Sequence, residues 1–303
     1  MAAARSRPES LRRLARGVAP TLFLLPALSL LLAVVTWPLL RAIWLTFQNF
    51  NVLRPARSTF AGLQNYVEVL NNPLFFTALK NSLLWVSGAV ALQLLLGFVG
   101  ALLLNRPFLG RGIVRGLLLI PWATPSVLVA LMWMWMLDGN YGVINDLLRR
   151  FGVIEFYVPW LAQTRTALPT LIVVDVWQGI PFFAVMILAA LQSIPADIKE
   201  AARIDGANAS QSLLHITIPW ILPAILITTV LRIIWTANYM DLMFVMTNGG
   251  PGYATTTLPF FAYVTAYRQL EFGQGATIAI AQALLLTFVI VIYVRLLRHR
   301  DTA

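Results

Sequence analysis

The chain of 303 residues contains no cysteine, which removes disulfides, thiolate metal sites and cysteine nucleophiles together. Charge is also scarce. Asp, Glu, Lys and Arg make up 11% of residues against about 25% in a soluble domain, whereas 59% are hydrophobic and mean hydropathy is +0.77. Lysine occurs only as Lys80 and Lys199, neither after a glycine, so no GxxxxGK[ST] loop exists to cradle nucleotide phosphates. Any ATP chemistry must belong to another chain. The only histidines, His215 and His299, fall at expected membrane edges, where solvated polar side chains are a plainer reading than a metal pair. "NGGPG" at 248–252 has no strand before it and no amphipathic helix after it, and reads as a turn, not a phosphate loop. A single acid, Asp175, lies within an apolar run, so the paired carboxylates of a membrane hydrolase are missing. No repeat with a period of about 20–50 residues and no low-complexity tract divides the chain.

Long apolar runs are what remains. Uncharged runs cover 21–40, 81–105, 116–137 and 272–294, and two more, 168–192 and 216–239, hold one charge each, Asp175 and Arg232. Each reaches the roughly 20 helical residues that cross a hydrocarbon core of about 30 Å. Hydrocarbon offers no partner to backbone polar groups, so the spans must be helices. The predicted fold is an all-α membrane protein with six transmembrane helices at about 20–47, 81–105, 114–137, 168–192, 216–239 and 273–295. They form one membrane domain, 20–298, between tails at 1–19 and 299–303. Pro121, Pro125, Pro181, Pro219 and Pro223 are expected to kink the spans, which favours a packed bundle around a cavity. The N-terminal "RSRPESLRRLARG" precedes an apolar stretch longer than a signal-peptide core, and no small-residue cleavage site follows, so it reads as a retained first span.

The net charge of +10 is a matter of placement, not of nucleic-acid binding. With the N-terminus inside, the inner loops carry 13 of the 22 Lys and Arg in 62 residues, and the outer loops carry 7 in 99. That asymmetry is the positive-inside pattern and puts both termini in the cytoplasm. The long outer loops are expected to hold short helices at the interface, where Phe75, Phe76, Tyr141 and Trp160 would be at home.

One inner loop is unlike its surroundings. In "SIPADIKEAARIDGANASQSLLHITIP", Ser193 and Pro195 suit a helix start, Gly206 a left-handed stop, and Asn208 or Ser210 the cap of a second short helix. A membrane-surface helix would be rich in Lys and Arg. Residues 193–215 hold two basic residues against three acidic ones, with alanines at 201 and 202, which suits docking into a protein groove better.

Glu200, Ala201, Ala202, Gly206, Ile216 and Pro219 stand in the spacing EAA---G---------I-LP, which resembles the signature of importer-type ABC transporter permeases, with Ile218 where leucine is usual. "FAGLQNYVEVLNNPLFFTALKNSLLW", "IPWATPSVLVALMWMWMLDGNYGVIN", "VDVWQGIPFFAVMILAALQSIPADIKEAARIDGA" and "DLMFVMTNGGPGYATTT" are similar to the carbohydrate-uptake branch, in the first-subunit type of the maltose and glycerol-phosphate permeases. The resemblance covers roughly 20–295 and implies a type I importer permease fold in the bacterial inner membrane. It further implies a coupling helix within 195–214, with Glu200, Ala201, Ala202, Asp205 and Gly206 contacting an ATPase. The implied partners are a second six-span permease, two ATP-binding subunits that carry ATP and Mg, and an extracytoplasmic solute-binding protein docking on the outer loops. No cofactor is expected in this chain.

A second polar set lies inside the membrane. Asp175, Gln178, Gly179 and Phe182 share one face of the fourth span, and Arg232, Thr236 and Tyr239 one face of the fifth. Both charges lie seven residues from the outer edge, about 10 Å deep, so they can share a layer. Two readings stand. The charges are a structural ion pair gluing two spans, or the faces line a solute cavity in which carboxylate and amide bind hydroxyls, Phe182 and Tyr239 stack on a sugar, and Arg232 holds an anionic group. The resemblance places sugar contacts on these faces but charged residues are unusual there, which raises a phosphate, sulfonate or carboxylate derivative beside a neutral oligosaccharide. Gln274 and Gln282 either line the cavity or bond between helices, and Trp133 and Trp135 are expected to pack or anchor. The rival class is a stand-alone secondary transporter using Asp175 as its ion site, which would need no docking helix.

Overall fold

The computed structural model describes residues 23–53 and 58–298. Among the described residues five helices are long and apolar enough to cross a membrane, six if one bent pair is counted as a span. The first span, Phe23–Leu45, buries none of its apolar window against the rest of the chain, although Trp37–Leu45 reaches the sixth span. After it comes a two-stranded antiparallel ribbon of Gln48–Asn49 and Thr59–Phe60. Asn65 Nδ2 fastens its base by donating to the carbonyls of Thr46 (2.8 Å) and Gln48 (2.9 Å).

The second span, Pro73–Asn105, starts eight residues before the expected 81. Asn72 caps it by accepting from the Leu74 N–H, and Pro73 in the first turn forgoes a donor that would have been orphaned anyway. Short helices occupy the outer loops at Gln64–Asn71, Val143–Arg150 and Leu258–Tyr263. Of the four aromatics expected at the interface, Phe75 is instead buried, while Phe76 and Tyr141 are exposed.

The prolines do not act alike. Pro121, Pro181 and Pro223 sit inside continuous helices, and Pro219 falls in the first turn after a π-turn, Leu213–Thr217. Only Pro125 interrupts a span. The expected continuous third span is two helices, Arg111–Ala123 and Ser126–Met136, bent by 96°. The proline ring disfavours helical geometry at the preceding residue, and Thr124 is extended at φ −78°, ψ 130°. Its freed carbonyl accepts from Gln178 Nε2 of the fourth span at 3.3 Å.

The fourth span, Ala167–Gln192, is the spine of the bundle, with more than half of its apolar window buried. Residues 209–217 lead without a break into the fifth span, Ile218–Asn238, which ends where Tyr239 turns extended. Side chains donate to carbonyls at that end: Trp85 Nε1 to Thr236 O, which the Tyr239 N–H also reaches, and Gln282 Nε2 to Ala237 O, both at 3.0 Å. The sixth span is Phe272–Arg298.

Apolar packing is split into layers. One cluster, with Trp85, Leu171, Val174 and Met243, lies toward the outer loops, and another, with Val90, Phe183, Ile187 and Ile221, toward the inner ones. Asp175 follows Val174 directly and precedes Phe183 by two turns, so its polar layer occupies the seam.

Candidate functional site

Asp175 and Gln178 from the fourth span, Arg232, Trp235 and Thr236 from the fifth, Tyr239 just beyond it, and Trp122 and Ser126 from either side of the third-span break enclose a cavity of about 170 Å³. Five of the seven residues expected from the sequence line it. Gly179 and Phe182 stand behind the wall.

The two charges meet. Arg232 Nη2 donates to Asp175 Oδ1 at 3.0 Å, with Asp175 fully buried and Arg232 9% exposed. An isolated charge here would cost about 2.5–3.5 kcal/mol on insertion scales, and a pair offsets that only when its remaining polar atoms are bonded. Gln93 of the second span supplies those bonds. Its Oε1 accepts from Arg232 Nε at 2.6 Å, and its Nε2 donates to the Asp175 carbonyl and to Asp175 Oδ2, both at 2.9 Å. Gly179 makes room for this, since a Cβ there would lie 2.4 Å from Gln93 Cδ and 2.5 Å from Arg232 Nη2.

The cavity wall mixes aromatic and hydrogen-bonding side chains. Phe182, expected to stack on a ligand, instead packs against Trp122 and Trp235 at centroid distances of 6.3 and 5.0 Å, so the two tryptophans present the aromatic faces. Tyr239 Oη donates to Gln178 Oε1 at 2.9 Å. Ser126, the first residue after the break, donates to the carboxylate of Asp241. Thr236 Oγ1 is buried without a hydrogen-bond partner among the described residues, an arrangement that is costly unless a ligand or water completes it. The glutamines of the sixth span are engaged elsewhere: Gln274 with Glu68 at 2.7 Å, Gln282 with Ala237. Trp133 packs edge-on against Trp177, and Trp135 is largely exposed.

The sequence missed Gln93, Trp122, Ser126, Trp235 and Asp241. Only Trp235, on the same turn as Arg232 and Thr236, carried a usable positional signal.

The charged inner segment folds as two short helices, Ala196–Ile204 and Ala209–Ser212. Ser193 belongs to the end of the fourth span, so the N-cap position falls to Pro195. Gly206, at φ +80°, closes the first helix in a Schellman turn, with Ala207 N donating to Ala202 O (2.9 Å) and Gly206 N to Arg203 O (3.1 Å). Asn208, not Ser210, caps the second helix, paired reciprocally with Gln211 at 2.9 Å. Glu200, Ala201, Asp205 and Gly206 are exposed, whereas Ala202 is buried in this chain. Ile204, which the sequence reading passed over, is 86% exposed beside them.

The comparisons agree with this architecture. A family profile described as "Binding-protein-dependent transport system inner membrane component" matches residues 93–301. The chain is 33% identical to the trehalose/maltose transport system permease protein MalF of Thermococcus litoralis, over 92% of this chain and 93% of that one. It is 32% identical to the sulfoquinovosyl glycerol transport system permease protein SmoG of Agrobacterium fabrum, over 92% and 90%. Its fold superimposes with a TM-score of 0.83, at 20% identity, on a chain of a bacterial ABC transporter that imports the acidic polysaccharide alginate, covering 96% of this chain and 99% of the other. The chain therefore belongs to the binding-protein-dependent transport system inner membrane component family, as a multi-pass ABC importer permease and a transport subunit.

Proposed function

We propose that this permease carries a sugar or sugar derivative inward by alternating access, driven by ATP hydrolysis on two separate ATP-binding subunits that hold ATP and Mg. A second six-span permease completes the membrane part, and an extracytoplasmic solute-binding protein delivers the solute to the outer loops. Both termini are cytoplasmic in this reading, in keeping with the Lys and Arg asymmetry.

The observation that carries the proposal is the cavity. Trp122 and Trp235 line it together with hydrogen-bonding groups of Gln178, Arg232, Thr236 and Tyr239, and Thr236 Oγ1 lacks a hydrogen-bond partner among the described residues. A polyhydroxylated ring has apolar faces and polar edges that match such a wall. At about 170 Å³ the space is below the roughly 300–1,000 Å³ of a whole-ligand pocket, so this chain grips one part of the solute. Sugar-type solutes are also named for the relatives MalF and SmoG.

The anionic version of the solute relied on a free guanidinium at Arg232. Asp175 and Gln93 engage that guanidinium, so the geometry favours recognition through hydroxyls. A secondary transporter with Asp175 as its ion site is disfavoured on similar grounds, because both carboxylate oxygens already have protein partners.

Glu200, Ala201, Asp205 and Gly206, with Ile204, form the coupling surface. Reconstituting the permease pair with its ATPases and binding protein is the test. Uptake of the sugar captured by the binding protein should stop when nucleotide is withheld, and uptake that continued would remove the ATP-driven reading.

A further inference from the structure

Gln93 is wholly buried at the centre of the second span, and its side chain is devoted to the charged pair. Like Gln282, which donates to Ala237 O, it bonds a neighbouring backbone carbonyl, that of Asp175, but its other bonds go to the charged side chains. Gln93 takes one side-chain atom from each charged partner. Nε and Nη2 of Arg232 are thereby both fixed, which pins the plane of the guanidinium against Asp175 and leaves Nη1 without a hydrogen-bond partner among the described residues. The absence of a side chain at Gly179 lets the amide and the guanidinium approach.

Charge balance decides what such a wall attracts. In a poorly hydrated space a net charge outweighs individual hydrogen bonds, because its field falls off slowly and is little screened. A pair held at 3.0 Å presents a local dipole, whereas a guanidinium swung free of its acid would present a full positive charge.

We infer that Gln93 is a positioning residue for solute selection. It holds Arg232 against Asp175 so that the cavity meets a charge-balanced pair in place of a free cation, and so turns away anionic sugars. This rests on the cavity being the solute site.

Methyl glucoside and methyl glucuronide, which differ by one carboxylate, are the probes. Binding to the assembled importer in detergent, without the solute-binding protein, is read by tryptophan fluorescence, since Trp122 and Trp235 line the space. The wild type should respond to the neutral glycoside and at least about tenfold more weakly to the glucuronide. Gln93→Leu frees Nε of Arg232 and Oδ2 of Asp175, and should raise the glucuronide-to-glucoside affinity ratio about tenfold. Asp175→Asn should move the ratio in the same direction as Gln93→Leu. Should Gln93→Leu assemble poorly, Asp175→Asn still tests the charge argument.

A purely structural Gln93 would lower both affinities in step, and that result, or a wild type preferring the glucuronide, overturns the inference. Thr236→Val separates the underlying reading. If it leaves the glucoside response untouched, or if the wild type answers neither probe, the cavity is not the sugar site. If it weakens the response while the ratio in Gln93→Leu stays fixed, only the role of Gln93 falls.

Discussion

The polar layer in the membrane and the polar helix pair on the inner loop are built on opposite terms. In the layer, Asp175, Gln93 and Arg232 come from three spans, each more than 50 residues from the next in the chain, and bond chiefly to one another. On the loop, Ala196–Ile204 and Ala209–Ser212 are closed by their own caps, and Glu200, Ala201, Ile204 and Asp205 face outward. A charge surrounded by hydrocarbon must find its partner within the fold. A surface that lies in water can leave its partners to another molecule, and exposed Ile204 gives that surface an apolar contact to offer.

The sharpest way to break the contrast is to remove half of the pair. Asp175→Leu or Arg232→Leu leaves a buried charge alone and should destabilise the fold by about 3–5 kcal/mol, whereas the double substitution should recover most of that loss. Thermal unfolding in detergent measures the cycle, and a double variant whose loss equals the sum of the two single losses would show that the two side chains are not coupled. Gly179→Ala should follow, at about 1–3 kcal/mol, because its Cβ meets Gln93 and Arg232. If Gly179→Ala melts with the wild type, the layer has slack that the geometry does not show.

On the loop the effect should appear in coupling. A Cβ at Gly206 would meet no atom within 4 Å, so in Gly206→Ala the cost is the left-handed backbone, about 1–2 kcal/mol. Solute-stimulated ATPase activity of the assembled importer should be lost while sugar binding in the cavity persists. Parallel loss of both would mean that the two regions are not separable. The smallest change is Thr236→Val. It removes an unpartnered buried hydroxyl, so stability should hold or rise slightly, while KM for uptake should increase about two- to tenfold for the one hydrogen bond lost to solute. Unchanged KM would mean that the solute makes no bond to that oxygen, and would count against the cavity as the sugar site.

The helix pair was legible because its signals are local. Gly206 and Asn208 act within a few residues of themselves. Asp175 and Arg232 were legible because a charge in an apolar run stands out at any distance. Gln93 was not, since one amide among Ala and Leu on another span carries no sign of which partner it meets 82 and 139 residues away. The break at Pro125 was hidden among five prolines of equal appearance. Which one severs a helix depends on whether a donor waits for the freed carbonyl, and at Thr124 that donor is Gln178, from a span far along the chain.

That break also has a mechanical side. Trp122 stands on one arm of the bend and Ser126 on the other, and both face the same small space. The cavity is therefore bounded by a joint as well as by fixed walls, so a rigid ring lodged between the two arms would splint the elbow, and its departure would unlock it.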